Sequence, residues 1–392
     1  MLFPRASAGG STEGPAGPGL HVRLAQTQPI PLGVRFAARG REVLALVGPS
    51  GSGKSTVLRC IAGLHRAAAG RIVVNGETWF DAAAGVHLAP YRRRTGLVLQ
   101  SYALFPHMTV LGNVLSALGH LPAPAREARA REVLEIVNLA GLEHRRPAQL
   151  SGGQQQRVAV ARALAREPDV LLLDEPFSAV DKATREKLYR ELAAMRTRLS
   201  MPVVLVTHDL DEATLLADRL CILHHGNTLQ VGTPAEVVDR PDSAEVARLV
   251  GHKNIFKGTV VGHDTERGLT MVRWRDRVHD VRGDGSFSAG AAVAWLVPPA
   301  HILLHRRGRP SRGEAENPVS GVLSECTGMR DTVICVLRIG SGGGGGDSLT
   351  FTVPSHVARR NGLAIGEEAT VSLLAAGIHL MPAEVAPVEP QP

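Results

Sequence analysis

Gly48-Pro-Ser-Gly-Ser-Gly-Lys54-Ser55-Thr56 follows an apolar run at 43–47 and precedes a helical pattern at 56–64. The segment fits GxxxxGK[ST] in the strand–loop–helix context that motif requires. Glycines let the backbone bend so that several N–H groups face one anion, and the helix start adds partial positive charge. On this reading Gly48, Pro49, Ser50, Gly51, Ser52, Gly53, Lys54, Ser55 and Thr56 form a cradle for the phosphates of ATP. Lys54 supplies a mobile cation for the β- and γ-phosphates, and Ser55 offers a hydroxyl to Mg²⁺. The competing reading is a glycine-rich turn of no special use, which the flanking strand and helix patterns disfavour.

Outward from the cradle, short apolar runs recur at 96–99, 170–173, 203–206 and 219–223. Helical spacing with mixed charge occupies 123–138 and 182–199. Such alternation predicts an α/β fold. Asp169-Val-Leu-Leu-Leu-Asp174-Glu175-Pro176 reads as a strand ending in two acids. Asp174 is expected to hold Mg²⁺, directly or through water. Glu175 is the expected general base that polarises the attacking water. Acids at a strand end can be ordinary surface groups; beside a phosphate cradle they read as catalytic. His208 ends the 203–206 run and is expected to contact the γ-phosphate, although a lone histidine there would usually be structural. Gln100 ends the 96–99 run, and its amide can both donate and accept, which suits orienting water or Mg²⁺.

The chain has 392 residues, enough for two or three domains. With 44% hydrophobic and 21% charged residues it can bury a large core. The formal charge of +7 allows an anionic ligand without choosing one. Aromatics at 4% argue against a stacking surface for single-stranded nucleic acid, and no nucleic-acid partner is expected. Cys60, Cys221, Cys326 and Cys335 form no CxxC pair, so neither a disulfide scaffold nor a zinc site is indicated, which favours a reducing cytoplasm. No apolar run reaches the roughly 18–20 residues of a membrane span. The first residues lack the charged-then-apolar order of a signal peptide. Membrane contact is therefore expected through a partner.

Leu150-Ser151-Gly152-Gly153-Gln154 opens a helical run at 155–166 and forms a second anion site of small residues at a helix start. One chain thus carries two phosphate-binding loops and one set of carboxylates. A head-to-tail dimer resolves this, each nucleotide lying between one copy's cradle and the other's LSGGQ.

These motifs in this order, with Ser178-Ala-Val-Asp181, resemble the nucleotide-binding subunits of ABC transporters over about residues 20–245. LSGGQ is the most family-specific of them. The resemblance implies a P-loop ATPase core with a helical subdomain at about 101–165. It implies a homodimer in which Ser151, Gly152, Gly153 and Gln154 meet the partner copy's ATP and Asp181 lies at the interface. One departure is that 21–31 lacks an aromatic to stack on adenine, while Phe36 reads as core; an aliphatic or polar substitute is expected near 24–27.

The apolar, proline-broken segment after Gln100 could be core packing. It also resembles the importer version of a groove for a permease's cytoplasmic helix, with Leu104, Phe105, Pro106 and His107 as its candidates. Residues 1–19 and 386–392 read as tails, and 246–305 as a linker and the first part of an accessory β domain. Residues 306–385 read as a small OB-like, TOBE-type β barrel, with a basic linker containing Arg306, Arg307 and Arg309 and a flexible glycine loop at 342–346. The region after Gly251 resembles accessory domains of sulfate, molybdate, iron, polyamine and sugar importers. Its molybdate-binding version makes Ser320, Ser355 and His356 oxyanion candidates; a purely structural role is the alternative.

The resemblance implies an ATP-hydrolysing importer subunit, peripheral on the cytoplasmic face of the inner membrane, with a separate permease and, indirectly, a solute-binding protein. A molybdate- or sulfate-type oxyanion ranks first as solute, then polyamine, iron or sugar. Alternatives are an exporter ATPase or a soluble ABC protein. A C-terminal β domain argues against the exporter, and the single cassette without long heptads argues against the soluble protein.

Overall fold

The protein is described by a computed structural model covering residues 18–177, 185, 189, 199–283, 285–306, 316–340 and 346–383. Asp181, the rest of 178–184 and most of the helical run expected at 182–199 lie outside the described residues. So do Arg307, Arg309, residues 341–345 and both expected tails apart from residues 18 and 19. The chain falls into two compact units, 1–234 and 235–392.

The first unit is built on an eleven-stranded sheet. Its antiparallel part holds β1 (Gly19–Gln26), β2 (Leu32–Arg39), β4 (Ala69–Val74), β5 (Glu77–Asp81) and β6 (Val86–His87). The parallel part contains β3 (Val43–Val47), β7 (Thr95–Val98), β8 (Val170–Asp174), β9 (Val203–Thr207) and β10 (Arg219–His224). β11 (Asn227–Gly232) joins the two parts. Every residue of β3 and β9 is buried, as are the first four of β8. Parallel strands covered on both faces need such unbroken apolar runs, which made them visible in the sequence. β2 instead alternates buried with exposed or half-buried residues.

The pairing order within the parallel part is β10-β3-β9-β8-β7. Val47 pairs with Thr207, Asp174 with Val206, and Val98 with Leu173. The loops after β3, β7, β8 and β9 therefore leave one edge of the sheet side by side, where open parallel sheets bind ligands. Three helices, α2 (Val110–Leu115), α3 (Ala123–Ile136) and α4 (Gly152–Leu164), pack on one another, and α4 also packs on β7. α3 buries only Ala130, Val133 and Leu134, a stripe at helical spacing.

The second unit has two five-stranded sheets sharing one core. One pairs strands 277–282, 269–274, 255–264, 292–296 and 379–382 in that order; the other pairs 302–304, 368–374, 316–329, 332–339 and 347–354. Phe256, Trp274 and Trp295 of the first sheet pack with Leu323, Leu337 and Phe351 of the second. The segments expected at 246–305 and 306–385 thus contribute to a single core, and the strand at 379–382 returns to the first sheet.

Candidate active site

The cradle is shaped by close approaches that exclude side chains. A Cβ on Gly48 would lie 2.1 Å from the Leu223 carbonyl oxygen. Gly51 and Gly53 sit at φ 82° and 93°, left-handed values that glycine adopts without strain. Helix α1 (Lys54–Ala62) begins after Gly53 with no side-chain cap, so its leading N–H groups remain available to an anion. Lys54 folds back over the loop, and its Nζ donates to Gly48 O and Pro49 O, each at 2.8 Å. Burial pulls this ammonium below its ordinary pKa, and the charges of Glu175 and Asp174 oppose that. A buried cation whose hydrogen bonds among the described residues go to carbonyl oxygens is poised for a stronger anionic partner.

Ser55 Oγ donates to Asp174 Oδ1 at 3.0 Å, joining the start of α1 to the end of β8. Burial pushes the Asp174 carboxyl up, Ser55's bond opposes, and the neighbouring Glu175 charge adds to the rise. The next residue, Glu175, turns out of the strand at φ 45°, a strained backbone of the kind concentrated at functional sites. Its N–H donates to Val206 O at 3.0 Å, and its Oε1 lies 3.3 Å from His208 Nδ1. The structure thus brings together Lys54, Ser55, Asp174, Glu175 and His208. Gln100 lies exposed two residues beyond β7 and makes no hydrogen bond among the described residues.

Residues 151–154 form their own hydrogen-bonded turn at the start of α4. Ser151 caps α4: its Oγ accepts the Gln154 N–H at 3.3 Å, and Gln154 Oε1 accepts the Ser151 N–H at 3.0 Å. Among the described residues no hydrogen bond links this loop to the cradle, Asp174, Glu175 or His208. Ser151 and Gly152 are exposed, Gly153 buried.

The segment after Gln100 is held by residues that sequence reasoning did not single out. Tyr102 and Ala103 both have positive φ, 58° and 44°. Arg162 of α4 donates to their carbonyls at 2.8 and 2.7 Å, and its guanidinium lies 5.6 Å from the Phe105 ring centroid. Tyr102 Oη donates to Pro176 O at 3.0 Å, tying this loop to the residue after Glu175. Asn113, fully buried, accepts from Phe105 N and donates to Phe105 O and Thr109 O. On this fixed backbone Phe105, Pro106 and His107 are exposed and Leu104 is half-buried.

Near the cradle, Leu24 is core and unavailable to adenine, as expected of Phe36. The exposed apolar side chain there is Ile30, 39% accessible, whose Cγ2 lies 4.0 Å from where a Gly53 Cβ would be. In the second unit Ser320 Oγ already pairs with Thr370 Oγ1 at 2.8 Å, Ser355 Oγ faces Arg330 O at 3.5 Å, and His356 is exposed.

A family model described as "ABC transporter" matches residues 32–178. The chain is 47% identical over 265 residues to a sulfate/thiosulfate import ATP-binding protein, CysA, of Caulobacter vibrioides, covering 66% of this chain and 73% of that protein. It is 38% identical over 306 residues to a spermidine/putrescine import ATP-binding protein, PotA, of Oleidesulfovibrio alaskensis, covering 77% and 79%. It is 42% identical over 270 residues to an Fe(3+) ions import ATP-binding protein, FbpC, of Rhizobium etli, covering 68% and 73%. Among solved structures, cbiO1 from Clostridium perfringens, part of the transporter complex cbiONQ, superposes with a TM-score of 0.50 at 28% identity. That match covers 56% of this chain and 89% of cbiO1.

Proposed function

The chain belongs to the ABC transporter family, among its ATP-binding and ATP-hydrolysing import subunits, and on that premise we propose that two copies close head-to-tail on two ATP molecules and drive a separate permease. The observation that carries the proposal is the convergence at neighbouring strand ends of the Lys54 cradle, the Ser55–Asp174 bond and the Glu175–His208 contact. Lys54 exchanges its two carbonyl partners for β- and γ-phosphate oxygens. Ser55 and Asp174 are hard oxygen donors 3.0 Å apart, a set that suits Mg²⁺, which takes one or two carboxylates and keeps several waters. Gln100 adds a neutral oxygen from the adjoining strand end. These donors would hold Mg²⁺, which would supply positive charge against the phosphates. Glu175 polarises the attacking water as general base, and His208 donates toward the γ-phosphate.

Residues 151–154 complete the site from the second copy, with Ser151, Gly152, Gly153 and Gln154 of each chain facing the other's triphosphate and Asp181 at the interface. The symmetry repeats the site twice. Adenine rests on Ile30, which replaces an aromatic stack with aliphatic contact. Leu104, Phe105, Pro106 and His107 form the surface that receives a permease helix. Their support is the rigid backbone beneath them, so that closure of the dimer passes outward as a rigid-body shift. The subunit works on the cytoplasmic face of the inner membrane, with a solute-binding protein beyond the permease. Among the described residues no helix is long and apolar enough to cross a membrane.

A sulfate- or molybdate-type oxyanion ranks first as the solute, because the sulfate/thiosulfate relative is the most identical of the three described above. Polyamine and Fe(3+) come next, and the test is which solute raises ATP turnover in the reconstituted transporter. The catalytic assignment is tested by Glu175→Gln, which keeps ATP binding and loses turnover by at least about a hundredfold. Undiminished hydrolysis overturns it.

A further inference from the structure

The helix after His208 carries a buried carboxyl that the assignments above leave unused. Glu212 lies in the first turn of the helix Leu210–Leu216 and is 5% exposed. Its Oε2 accepts a hydrogen bond from Thr207 Oγ1 at 3.0 Å. The same hydroxyl oxygen accepts the Asp209 N–H at 3.0 Å, and Asp209 Oδ1 accepts the Glu212 N–H at 3.1 Å. Arg185 lies 3.7 Å from the Asp209 carboxylate. Thr207, Asp209 and Glu212 thus close a ring of hydrogen bonds around the backbone of His208. The imidazole projects from that ring, 58% exposed, toward Glu175.

An apolar residue would fill this helix position with less loss of hydration. Among the described residues Glu212 Oε1 has no hydrogen-bond partner, so the carboxyl acts on Thr207 through Oε2. Burial pushes it up to about 7. The Thr207 bond opposes that rise, as does Arg185, while the charges of Asp209 and Glu175 add to it. A costly group beside a catalytic residue, held by a single directed bond, has positioning as its use.

We propose that Glu212 is a positioning residue: by holding the Thr207 hydroxyl it fixes the peptides on both sides of His208 and aims the imidazole at Glu175 and the γ-phosphate. This inference rests on the role given to His208 above. The test measures kcat, KM for Mg-ATP and Tm on the full chain carrying His208→Ala, Glu212→Ala, Glu212→Gln, Thr207→Val, or His208→Ala with Glu212→Ala. Glu212→Ala and Thr207→Val each lower kcat by about ten- to a hundredfold, with KM within about twofold. Glu212→Gln, whose amide oxygen still accepts from Thr207, recovers most of that loss. Adding Glu212→Ala to His208→Ala lowers the rate no further, a coupling that a merely structural carboxyl does not produce.

Wild-type kcat in Glu212→Ala and Thr207→Val, beside an impaired His208→Ala, overturns the positioning and leaves His208 in place. Multiplying losses in the double variant also overturn it. Wild-type turnover by His208→Ala removes the role of His208 itself, and the positioning with it. If Glu212→Ala proves too unstable to assay, Thr207→Val, close in shape and suited to a strand end, decides.

Discussion

Two helices of the first unit begin on glycine-rich turns, and they begin differently. α1 starts behind Gly53 with no side-chain cap, its leading amides open and the Lys54 ammonium folded across the loop. α4 starts behind Ser151, whose hydroxyl and the Gln154 amide close a reciprocal capping box. The first end is left electrically unsatisfied and has Asp174 and Glu175 beside it. The second carries a side-chain cap, and among the described residues it makes no hydrogen bond to either acid. A helix start built to grip a polyphosphate leaves its donors open; the capping box of α4 satisfies the N–H groups of Ser151 and Gln154 and leaves those of Gly152 and Gly153 out of it. The contrast fits the proposal that the cradle binds nucleotide within a chain while the LSGGQ loop meets it from a second copy.

Breaking the first end has the largest effect. Lys54→Ala removes the charged donor, and the Kd for ATP measured by equilibrium titration rises by about ten- to a hundredfold. Ser151→Arg keeps the Kd within about twofold of wild type, yet abolishes the ATP-dependent dimer seen by light scattering. Equal effects of these two changes on binding by the isolated chain would erase the distinction. Gly53→Ala and Gly152→Ala sharpen it: Gly53 sits at φ 93° with Leu32 Cδ2 2.9 Å from an added Cβ. Its substitution costs about 1–2 kcal/mol in strain and weakens nucleotide binding, whereas Gly152→Ala leaves binding by one chain unchanged. The smallest effect is from Ser151→Ala, which removes the cap and lowers stability to urea by about 1 kcal/mol.

Much of this was legible in the chain. β3, β8 and β9 announce themselves because buried parallel strands tolerate no polar interruption. The phosphate cradle is legible because its glycines and Lys54 are adjacent in sequence. What stayed hidden depends on partners distant in sequence. Arg162 reads as an ordinary helix cation until it is seen bonding the carbonyls of Tyr102 and Ala103. Asn113 belongs to no motif, yet it is fully buried and holds Phe105 through both its N–H and its carbonyl oxygen. The positive φ at Tyr102 and Ala103 leaves no residue signature, since neither is glycine or asparagine. Of the residues at 24–27, Leu24 is buried in the core while Thr27 is exposed, and Ile30 is an exposed neighbour of Gly53.

The most direct test is a structure of the Glu175→Gln chain crystallised with Mg-ATP. A γ-phosphate lying within hydrogen-bond distance of the Gly153 N–H from a second copy, with Lys54 of the first on its other side, is the predicted result. Contradiction would come from a nucleotide fully bound by one chain while both LSGGQ loops lie open to water.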